Sequence, residues 1–198
     1  MCLIVTFAPE LAGNSRLDWQ RIRNAAERNR DGFGLAFPSR GRLIIERSLE
    51  PDGIFALAAE NERRGRPFLL HLRFATAGDD TVNNAHPFPI GQRLAFAHNG
   101  HIHSLGILRT LQALGPRASD TAALADIARR RTARGLEPLE AFASLRSLAG
   151  DSRLAAINSD GEFRYINESL GQREGGAWYS VRDGGHFDPR VNSLNPYR

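Results

Sequence analysis

Apolar and polar positions divide the chain into two strand-rich ends and a helical middle. Short runs rich in β-branched and aromatic residues, bounded by Gly, Pro, Asn or Asp, are typical of strands. Such runs predict strands over residues 1–7, 33–37, 42–47, 67–76, 93–98, 153–158, 162–167 and 177–181. Residues 78–91 are polar, contain two prolines and predict a loop.

Apolar residues at helical spacing predict a helix that begins at residue 19 and ends near residues 31–32, and further helices over residues 51–64 and 104–148. Either Ser15 or Asp18 can cap the first helix, and a proline suits the first turn of the second. Breaks that contain Gly and Pro divide the third region into two or three helices. Because strands cluster at both ends with helices grouped between them, we predict sheets covered by helices. The strict strand–helix alternation of a parallel doubly wound fold is not found.

The chain has 198 residues, of which 41% are hydrophobic and 24% are charged, as in a packed globular protein. This length suits one domain over residues 1–198. The most apolar stretch, residues 3–8, is far shorter than a bilayer span and follows no basic segment. We therefore expect neither a transmembrane helix nor a signal peptide, and we expect a cytoplasmic location.

The 26 basic residues are all arginine, and the net charge is +4 with a pI near 10.1. The absence of lysine is explained by the codon bias of a high-GC genome better than by a nucleic-acid partner. Arg129, Arg130, Arg131 and Arg134 form a local cluster, for which a solvated helix face is the simpler interpretation. We therefore expect no nucleic-acid function.

Cys2 is the only cysteine in the sequence, which excludes an internal disulfide and a multi-cysteine zinc site. Removal of Met1 would place its thiol and a free α-amino group on one residue. An α-amino group titrates at about 7.7–8.0, so it can accept the thiol proton near neutral pH. The alternative is that Cys2 fills space at the start of an apolar strand, as a lone cysteine commonly does.

Further short motifs follow the N-terminal segment Cys2-Leu3-Ile4 in a fixed order. They are Arg28-Asn29-Arg30-Asp31-Gly32-Phe33-Gly34, His71-Leu72-Arg73-Phe74-Ala75-Thr76, Asn84-Ala85-His86-Pro87-Phe88, His98-Asn99-Gly100 and Ser119-Asp120. In order and spacing they resemble the motifs of class II glutamine amidotransferases, from residue 2 to about residue 125. Two positions depart from that family, with Leu72 where Thr is usual and Ala77 where His is usual. These departures affect the loop expected over the substrate more than the chemistry.

The resemblance implies an α+β fold, a four-layer αββα sandwich of two antiparallel sheets in which the first strand presents Cys2 at the sheet edge. It assigns Cys2 as the nucleophile that attacks the side-chain amide of glutamine. The Asn99 side-chain amide and the Gly100 backbone N–H would then bind the oxyanion. Without the flanking motifs, Asn99-Gly100 is more typical of a hairpin turn.

The same resemblance assigns Arg73 to the α-carboxylate of glutamine and Asp120 to its α-ammonium group. A guanidinium binds a carboxylate through two parallel hydrogen bonds, for which Arg is better suited than Lys. The alternatives are an Arg anchored at a strand end and an Asp that caps the helix from Thr121. Thr76 is expected beside the substrate, and Arg28 is expected to order the turn that approaches Cys2.

The histidines have smaller roles in this interpretation. His86 is assigned to the substrate site, where it lines or shapes the loop, because the N-terminal amine already provides a base. His71 and His98 receive no catalytic role. His101 and His103 could bind a metal in principle, but no third ligand with suitable spacing is evident. We therefore expect neither a metal nor a cofactor.

The implied function is hydrolysis of glutamine to glutamate and ammonia, with the ammonia passed to a separate synthase or ligase. One alternative is a stand-alone amidohydrolase acting on another γ-glutamyl amide, which keeps both groups that Arg73 and Asp120 would bind. A second alternative, from a different class, is an inactive domain that binds an anionic partner through its arginines. Cys2, Asn99 and Arg73 together argue against that second alternative. The sequence leaves the formation of an oligomer open.

Overall fold

The computed structural model describes residues 2–13, 15–102 and 104–181 of the chain. The strands are β1 Leu3–Phe7, β2 Phe33–Ser39, β3 Arg42–Ser48, β4 Phe68–Leu72, β5 Phe88–Ile90, β6 Leu94–Asn99, β7 Arg153–Asn158, β8 Phe163–Ile166, β9 Gln172–Glu174 and β10 Ala177–Tyr179. The helices are α1 Pro9–Ala12, α2 Trp19–Ala26, α3 Pro51–Arg63, α4 Leu105–Leu114, α5 Asp120–Ala133, α6 Pro138–Ala143 and α7 Arg146–Ala149. Short 3₁₀ helices lie at Val82–Asn84 and Glu168–Leu170. None of the helices in this described part of the chain has the length and apolar composition needed to cross a bilayer.

The strands form a larger and a smaller sheet, and the paired strands run antiparallel. The larger sheet has the order β3-β2-β4-β1-β10-β9, and the smaller sheet has the order β5-β6-β7-β8. β1 lies inside the larger sheet, where Leu3 is opposite Leu72 of β4 and Val5 is opposite Tyr179 of β10. Because β1 has a partner strand on each side, its position is held by two ladders of backbone hydrogen bonds.

Alternate residues of β1 face different layers of the protein. Leu3, Val5 and Phe7 are buried in one core together with residues of α1, α2 and α3. Ile4 is buried in a second core, between the sheets, with residues such as Ala155 of β7. A third core joins the other face of the smaller sheet to α4, α5, α6 and α7. The order of layers is helices, sheet, sheet, helices, which confirms the predicted αββα architecture.

Most predicted elements are present, with changed ends. Asp18 is the N-cap of α2, where its carboxylate accepts a backbone hydrogen bond at 2.9 Å. The strand predicted over residues 67–76 is too long, because β4 ends at Leu72. Arg73 still exchanges backbone hydrogen bonds with Gly32 and Asp31, just before β2, and beyond it the Ala75 N–H donates to the Asp31 carboxylate at 2.7 Å.

Several short elements were missed by the sequence pattern. The loop predicted over residues 78–91 contains a 3₁₀ helix and β5, which has Pro89 at its centre. Proline lacks the N–H of a regular strand residue, and β5 tolerates it because it is an edge strand of the smaller sheet. Residues 104–148 form four helices instead of two or three, since the break after Ala143 contains neither Gly nor Pro. Residues 182–198 lie outside the described residues, so one domain over residues 1–198 stays a prediction.

Gly34 marks a close approach between β2 and the segment that precedes β5. A Cβ at this position would stand 1.9 Å from the backbone carbonyl oxygen of His86. Because the obstacle is backbone, it can move only if the segment shifts. We expect Gly34→Ala to lower the free energy of unfolding by about 1–3 kcal/mol through overpacking, as measured by chemical denaturation.

Gly53→Ala is the matched control for this prediction. Gly53 lies in the first turn of α3, and a Cβ there meets open space. Alanine at such a helical position is expected to leave stability unchanged or to raise it slightly, since alanine has the higher helix propensity. Wild-type stability in Gly34→Ala would contradict the close approach.

Candidate active site

Cys2 lies immediately before β1, at the end of the larger sheet where β4 continues into its loop. Its Sγ accepts a hydrogen bond from the Phe74 N–H at 3.4 Å, and the thiol lies 3.5 Å from the Phe74 carbonyl oxygen. The residue is partly exposed, whereas Leu3–Phe7 are all buried. The buried strand β1 is therefore preceded by a cysteine that is only partly buried.

The surroundings of Cys2 favour the protonated thiol. Burial of the sulfur raises the pKa of Cys2, and the hydrogen bond from the Phe74 backbone opposes that effect only in part. Arg73 lowers the pKa of the thiol and Asp120 raises it, so both charges act on the sulfur through space. A neutral thiol is a poor nucleophile. Chemistry at Cys2 therefore needs a base that takes the thiol proton.

Arg73 is buried, and its guanidinium is bonded to the two loops beside Cys2. Nη1 donates to the Asp31 carbonyl oxygen at 3.1 Å and to the Asp80 carboxylate at 3.0 Å, and Nη2 donates to the Ala77 carbonyl oxygen at 3.1 Å. The Arg73 side chain is 3% exposed, whereas the Asp80 side chain is 62% exposed. The carboxylate that pairs with Arg73 thus belongs to an exposed loop residue, Asp80. Asp80 can move away from the guanidinium without exposing the core. Asp80 was not identified from the sequence.

Asp120 is the first residue of α5, and Ser119 is the N-cap, with its hydroxyl accepting a hydrogen bond from the backbone of α5 at 3.1 Å. The alternative that Asp120 itself caps the helix is therefore wrong. The Asp120 carboxylate accepts hydrogen bonds from the Ile102 N–H at 3.2 Å and from the Thr121 N–H at 2.8 Å. It remains 15% exposed. Because Ile102 closely follows β6, these bonds hold Asp120 next to the end of that strand.

Asn84 joins the loop after β4 to the start of α5. Its Nδ2 donates to the carbonyl oxygens of Asp79 at 2.9 Å and Arg117 at 2.8 Å. Its Oδ1 accepts a hydrogen bond from the Ser119 N–H at 3.3 Å. One buried amide thus connects the loop that follows Arg73 to the helix that begins with Asp120.

Asn99 is the last residue of β6 and pairs with Arg153 of β7. Asn99-Gly100 therefore does not form the hairpin turn that the dipeptide alone favoured. Gly100 has a φ of 148°, and a Cβ there would stand 2.2 Å from the Ser152 hydroxyl oxygen. Both observations require glycine at this position. The strand end thus presents a buried side-chain amide followed by the backbone N–H of a glycine.

Ser180 connects Asn99 to β1, and no sequence motif pointed to it. The Ser180 side chain is fully buried, and its Oγ lies 2.9 Å from the Asn99 Nδ2. The same Oγ accepts a hydrogen bond from the Ile4 N–H at 2.9 Å, and the Ser180 N–H donates to the Ile4 carbonyl oxygen at 3.0 Å. Ser180 thereby links the Asn99 side chain to the backbone of Ile4, the second residue after Cys2.

His71, His86 and His98 pack together behind these residues. The ring centroids of His71 and His86 are 3.9 Å apart, and those of His86 and His98 are 6.5 Å apart. Burial lowers the pKa of His71 to about 3, and it also lowers the pKa of His86 and His98. The rings are therefore neutral at pH 7. Contact between His86 and a substrate stays a prediction.

The remaining predicted residues lie farther toward the surface. Thr76 is exposed in the loop after β4, and Arg28 is half-buried just after α2. Their predicted roles stay predictions. Among residues 2–13, 15–102 and 104–181, no group of His, Cys, Asp and Glu is arranged to hold a metal ion. The pair His101 and His103 cannot be assessed further, because His103 lies outside those ranges.

The arginine cluster of α5 makes ordinary contacts within the domain. Arg130 forms an ion pair with Asp126 one turn away, and the Arg129 Nε donates to the Pro89 carbonyl oxygen at 3.2 Å. These contacts fit the interpretation of the cluster as a helix face, and the absence of a nucleic-acid function stays a prediction.

Known proteins resemble this chain in sequence. The sequence profile of the family described as glutamine amidotransferases class-II matches residues 1–168. A glutamine–fructose-6-phosphate aminotransferase (isomerizing) from Gluconobacter oxydans is 31% identical over 169 residues, which cover 82% of this chain and 27% of that protein. A protein of the same name from Caulobacter vibrioides is 38% identical over 144 residues, which cover 70% of this chain and 24% of that protein. The chain spans about a quarter of the length of these relatives.

Solved structures share the fold. The glutamine phosphoribosylpyrophosphate (PRPP) amidotransferase from B. subtilis matches with a TM-score of 0.55 and 17% identity, over 90% of this chain and 41% of that chain. A structure described as the allosteric regulatory enzyme of purine biosynthesis matches with a TM-score of 0.54 and 18% identity, over the same shares. Since the family profile covers most of the sequence and the fold agrees with it, this chain belongs to the class II glutamine amidotransferases.

Proposed function

We propose that this domain hydrolyses the side-chain amide of glutamine to glutamate and ammonia, with Cys2 as the nucleophile once Met1 is removed. The position of Cys2 carries the proposal. Cys2 is partly exposed just before a buried strand, and its thiol lies against the backbone of Phe74, the residue that follows Arg73 in sequence. A cysteine that only filled the core would be enclosed, as Leu3 and Ile4 are.

Arg73 and Asp120 are proposed to hold the amino-acid end of glutamine. Free glutamine carries one α-carboxylate and one α-ammonium group, and the two residues have the matching opposite charges. Both charges act on the Cys2 sulfur, which supports a common site. The α-carboxylate would take the place of Asp80 on the guanidinium, so that Arg73 exchanges one carboxylate for another.

Because burial raises the pKa of the Cys2 thiol, the reaction needs a base, and the α-amino group of Cys2 is the proposed one. The α-amino group takes the thiol proton, and the thiolate adds to the amide carbon. Asn99 Nδ2 and the Gly100 N–H stabilise the resulting oxyanion. The C–N bond then breaks, and the α-ammonium group gives its proton to the departing ammonia. Water, deprotonated by the same amine, hydrolyses the γ-glutamyl thioester to glutamate and restores the thiol.

The ammonia is proposed to pass to a separate synthase or ligase. The names of the matching proteins combine glutamine with a second substrate, fructose 6-phosphate or PRPP, and this chain matches only part of each protein. Those names support the proposal that one part of each enzyme releases ammonia from glutamine and another part uses the ammonia. The acceptor itself follows from none of the residues described here.

The test is the intact mass of the purified protein before and after incubation with 6-diazo-5-oxo-L-norleucine, an electrophilic analogue of glutamine. We expect a starting mass that lacks Met1 and a product with one adduct on Cys2. Excess glutamine should block the adduct, because both compounds would need Arg73 and Asp120. Peptide mapping locates the modified residue.

Two other results would change the proposal. A protein that lacks Met1, forms no adduct and releases no ammonia from glutamine would favour the alternative of an amidohydrolase for a different γ-glutamyl amide. A protein that retains Met1 has no free amine on Cys2, and the proposed mechanism would then be wrong.

A further inference from the structure

The Ser180 hydroxyl is in contact with two polar groups from different parts of the fold. Its Oγ lies 2.9 Å from the Ile4 backbone nitrogen and 2.9 Å from the Asn99 side-chain nitrogen. The Ser180 and Asn99 side chains are both fully buried. In such surroundings an unmatched donor or acceptor costs about 1–3 kcal/mol, so the direction of each hydrogen bond matters.

A count of donors and acceptors shows a conflict in the placed orientation of the Asn99 amide. A hydroxyl donates one proton and accepts at most two hydrogen bonds. The Ile4 N–H can only donate to Ser180. If the Asn99 NH₂ group also donates to Ser180, the Asn99 Oδ1 is left buried without a hydrogen-bond partner in the described part of the chain.

A half-turn of the Asn99 amide lets the Ser180 hydroxyl donate to Oδ1, and it leaves the NH₂ group, instead of Oδ1, without a partner in the described part of the chain. An unpaired NH₂ group is what a donor kept for the oxyanion requires. The turn exchanges Oδ1 and Nδ2 and leaves the shape of the side chain unchanged, so only hydrogen bonding distinguishes the two orientations. The bonds then run in one direction, from the Ile4 N–H to the Ser180 oxygen and from the Ser180 O–H to the Asn99 Oδ1. The other contact of the amide, to the Ser180 carbonyl oxygen, measures 3.5 Å and is too long to oppose the turn.

We propose that Ser180 is a positioning residue whose hydroxyl holds the Asn99 amide with its NH₂ group pointing away from Ser180. The catalytic meaning of this orientation rests on the function proposed above. The opposite orientation would present a carbonyl oxygen to the oxyanion and repel it. Because the same hydroxyl is bonded to Ile4, the orientation of Asn99 is set relative to the strand that carries Cys2.

The orientation can be measured without any assay of activity. In ¹⁵N-labelled wild-type protein, the Asn99 NH₂ protons are assigned by their absence in Asn99→Asp. We expect no strong nuclear Overhauser effect (NOE) between these protons and the Ser180 β-protons or the Ile4 amide proton, because the NH₂ group lies on the far side of the amide. Strong NOEs to Ser180 would show that the NH₂ group faces the hydroxyl and would overturn the inference.

Ser180→Ala tests the consequence for catalysis. We expect kcat for glutamine hydrolysis to fall by about 10- to 100-fold, less than the roughly 10²–10³-fold typical of deleting an oxyanion donor, because Asn99 is still present. The KM for glutamine should change little, since Arg73 and Asp120 are intact. Alkylation of Cys2 by iodoacetamide should keep its wild-type rate.

Thr6→Val is the matched control for lost stability. Thr6 is a buried residue of β1, and its hydroxyl is 2.8 Å from the Tyr165 hydroxyl. Both variants lose a buried hydroxyl that contacts or belongs to β1, and only Ser180→Ala should lose kcat. Equal kcat in the two variants would contradict the positioning role of Ser180.

The NOE result also separates this inference from the proposed function. If wild-type protein releases no ammonia from glutamine, the proposed function fails, while the Asn99 orientation is still decided by the NOEs. If Ser180→Ala does not fold, the wild-type NOEs remain the deciding measurement. Hydrolysis by wild-type protein together with strong NOEs between Asn99 and Ser180 would refute the inference and leave the proposed function intact.

Discussion

Cys2→Ala is expected to lower kcat for ammonia release from glutamine by about 10⁴-fold or more, the scale seen when a covalent nucleophile is deleted. Alanine is small, so removal of Met1 and the free α-amino group are retained while the thiol is lost. The contacts removed are those of the sulfur with Phe74, which lie at the edge of the fold. Ammonia release is followed with a coupled dehydrogenase assay, and thermal unfolding checks that the variant is folded.

A second variant separates the thiol from the amine. Insertion of one alanine between Met1 and Cys2 keeps the thiol but moves the α-amino group one residue away from it. We expect this variant to be as inactive as Cys2→Ala, because the raised pKa of the thiol requires a nearby base. Wild-type turnover in Cys2→Ala would exclude Cys2 as the nucleophile. Turnover in the insertion variant would show that another group is the base.

Arg73→Lys is expected to raise the KM for glutamine by about 10²-fold, with a smaller effect on kcat. Lysine keeps the charge but loses the planar fork that binds a carboxylate through two hydrogen bonds. Hydrogen bonds to charged groups are worth about 1.5–3 kcal/mol, and about 1.4 kcal/mol corresponds to a tenfold change in affinity. Initial rates over a range of glutamine concentrations give both constants. An unchanged KM would remove Arg73 from the substrate site.

Asp80→Asn is the counterpart of that variant and is expected to lower the KM for glutamine. The Asp80 carboxylate occupies Arg73 in the structure, and its removal leaves the guanidinium free for the substrate. Because the Asp80 partner of this ion pair is exposed, the pair should be worth about 0–1 kcal/mol and the decrease should be at most about fivefold. Asp79→Asn is the control, since Asp79 pairs with Arg117 and not with Arg73. A raised KM in Asp80→Asn would mean that Asp80 supports the loop and does not compete with glutamine.

Local patterns predicted sheets covered by helices, and the family resemblance supplied the four-layer order. Along β1, Leu3, Val5 and Phe7 alternate with Ile4 and Thr6, and this period of two places one face on the helices and the other on the second sheet. Helix starts were predictable where capping chemistry is local, as at Asp18. β5 and β9 were not, because β5 contains a proline and β9 consists of polar residues, so both are stabilised by their neighbours in the sheet more than by a strand pattern of their own.

The sequence by itself determined which residue types stand in the family-like motifs and in what order, and it thereby predicted Cys2, Arg73, Asn99 and Asp120 as site residues. Only the tertiary structure decided what each of them contacts. Asp80 reaches Arg73 through a loop, and Ser180 meets Asn99 across two sheets from a position 81 residues away. Such contacts depend on the order of the strands in the sheets and on which polar atoms become buried and need a hydrogen-bond partner. The spacing of residues along the chain shows neither of these.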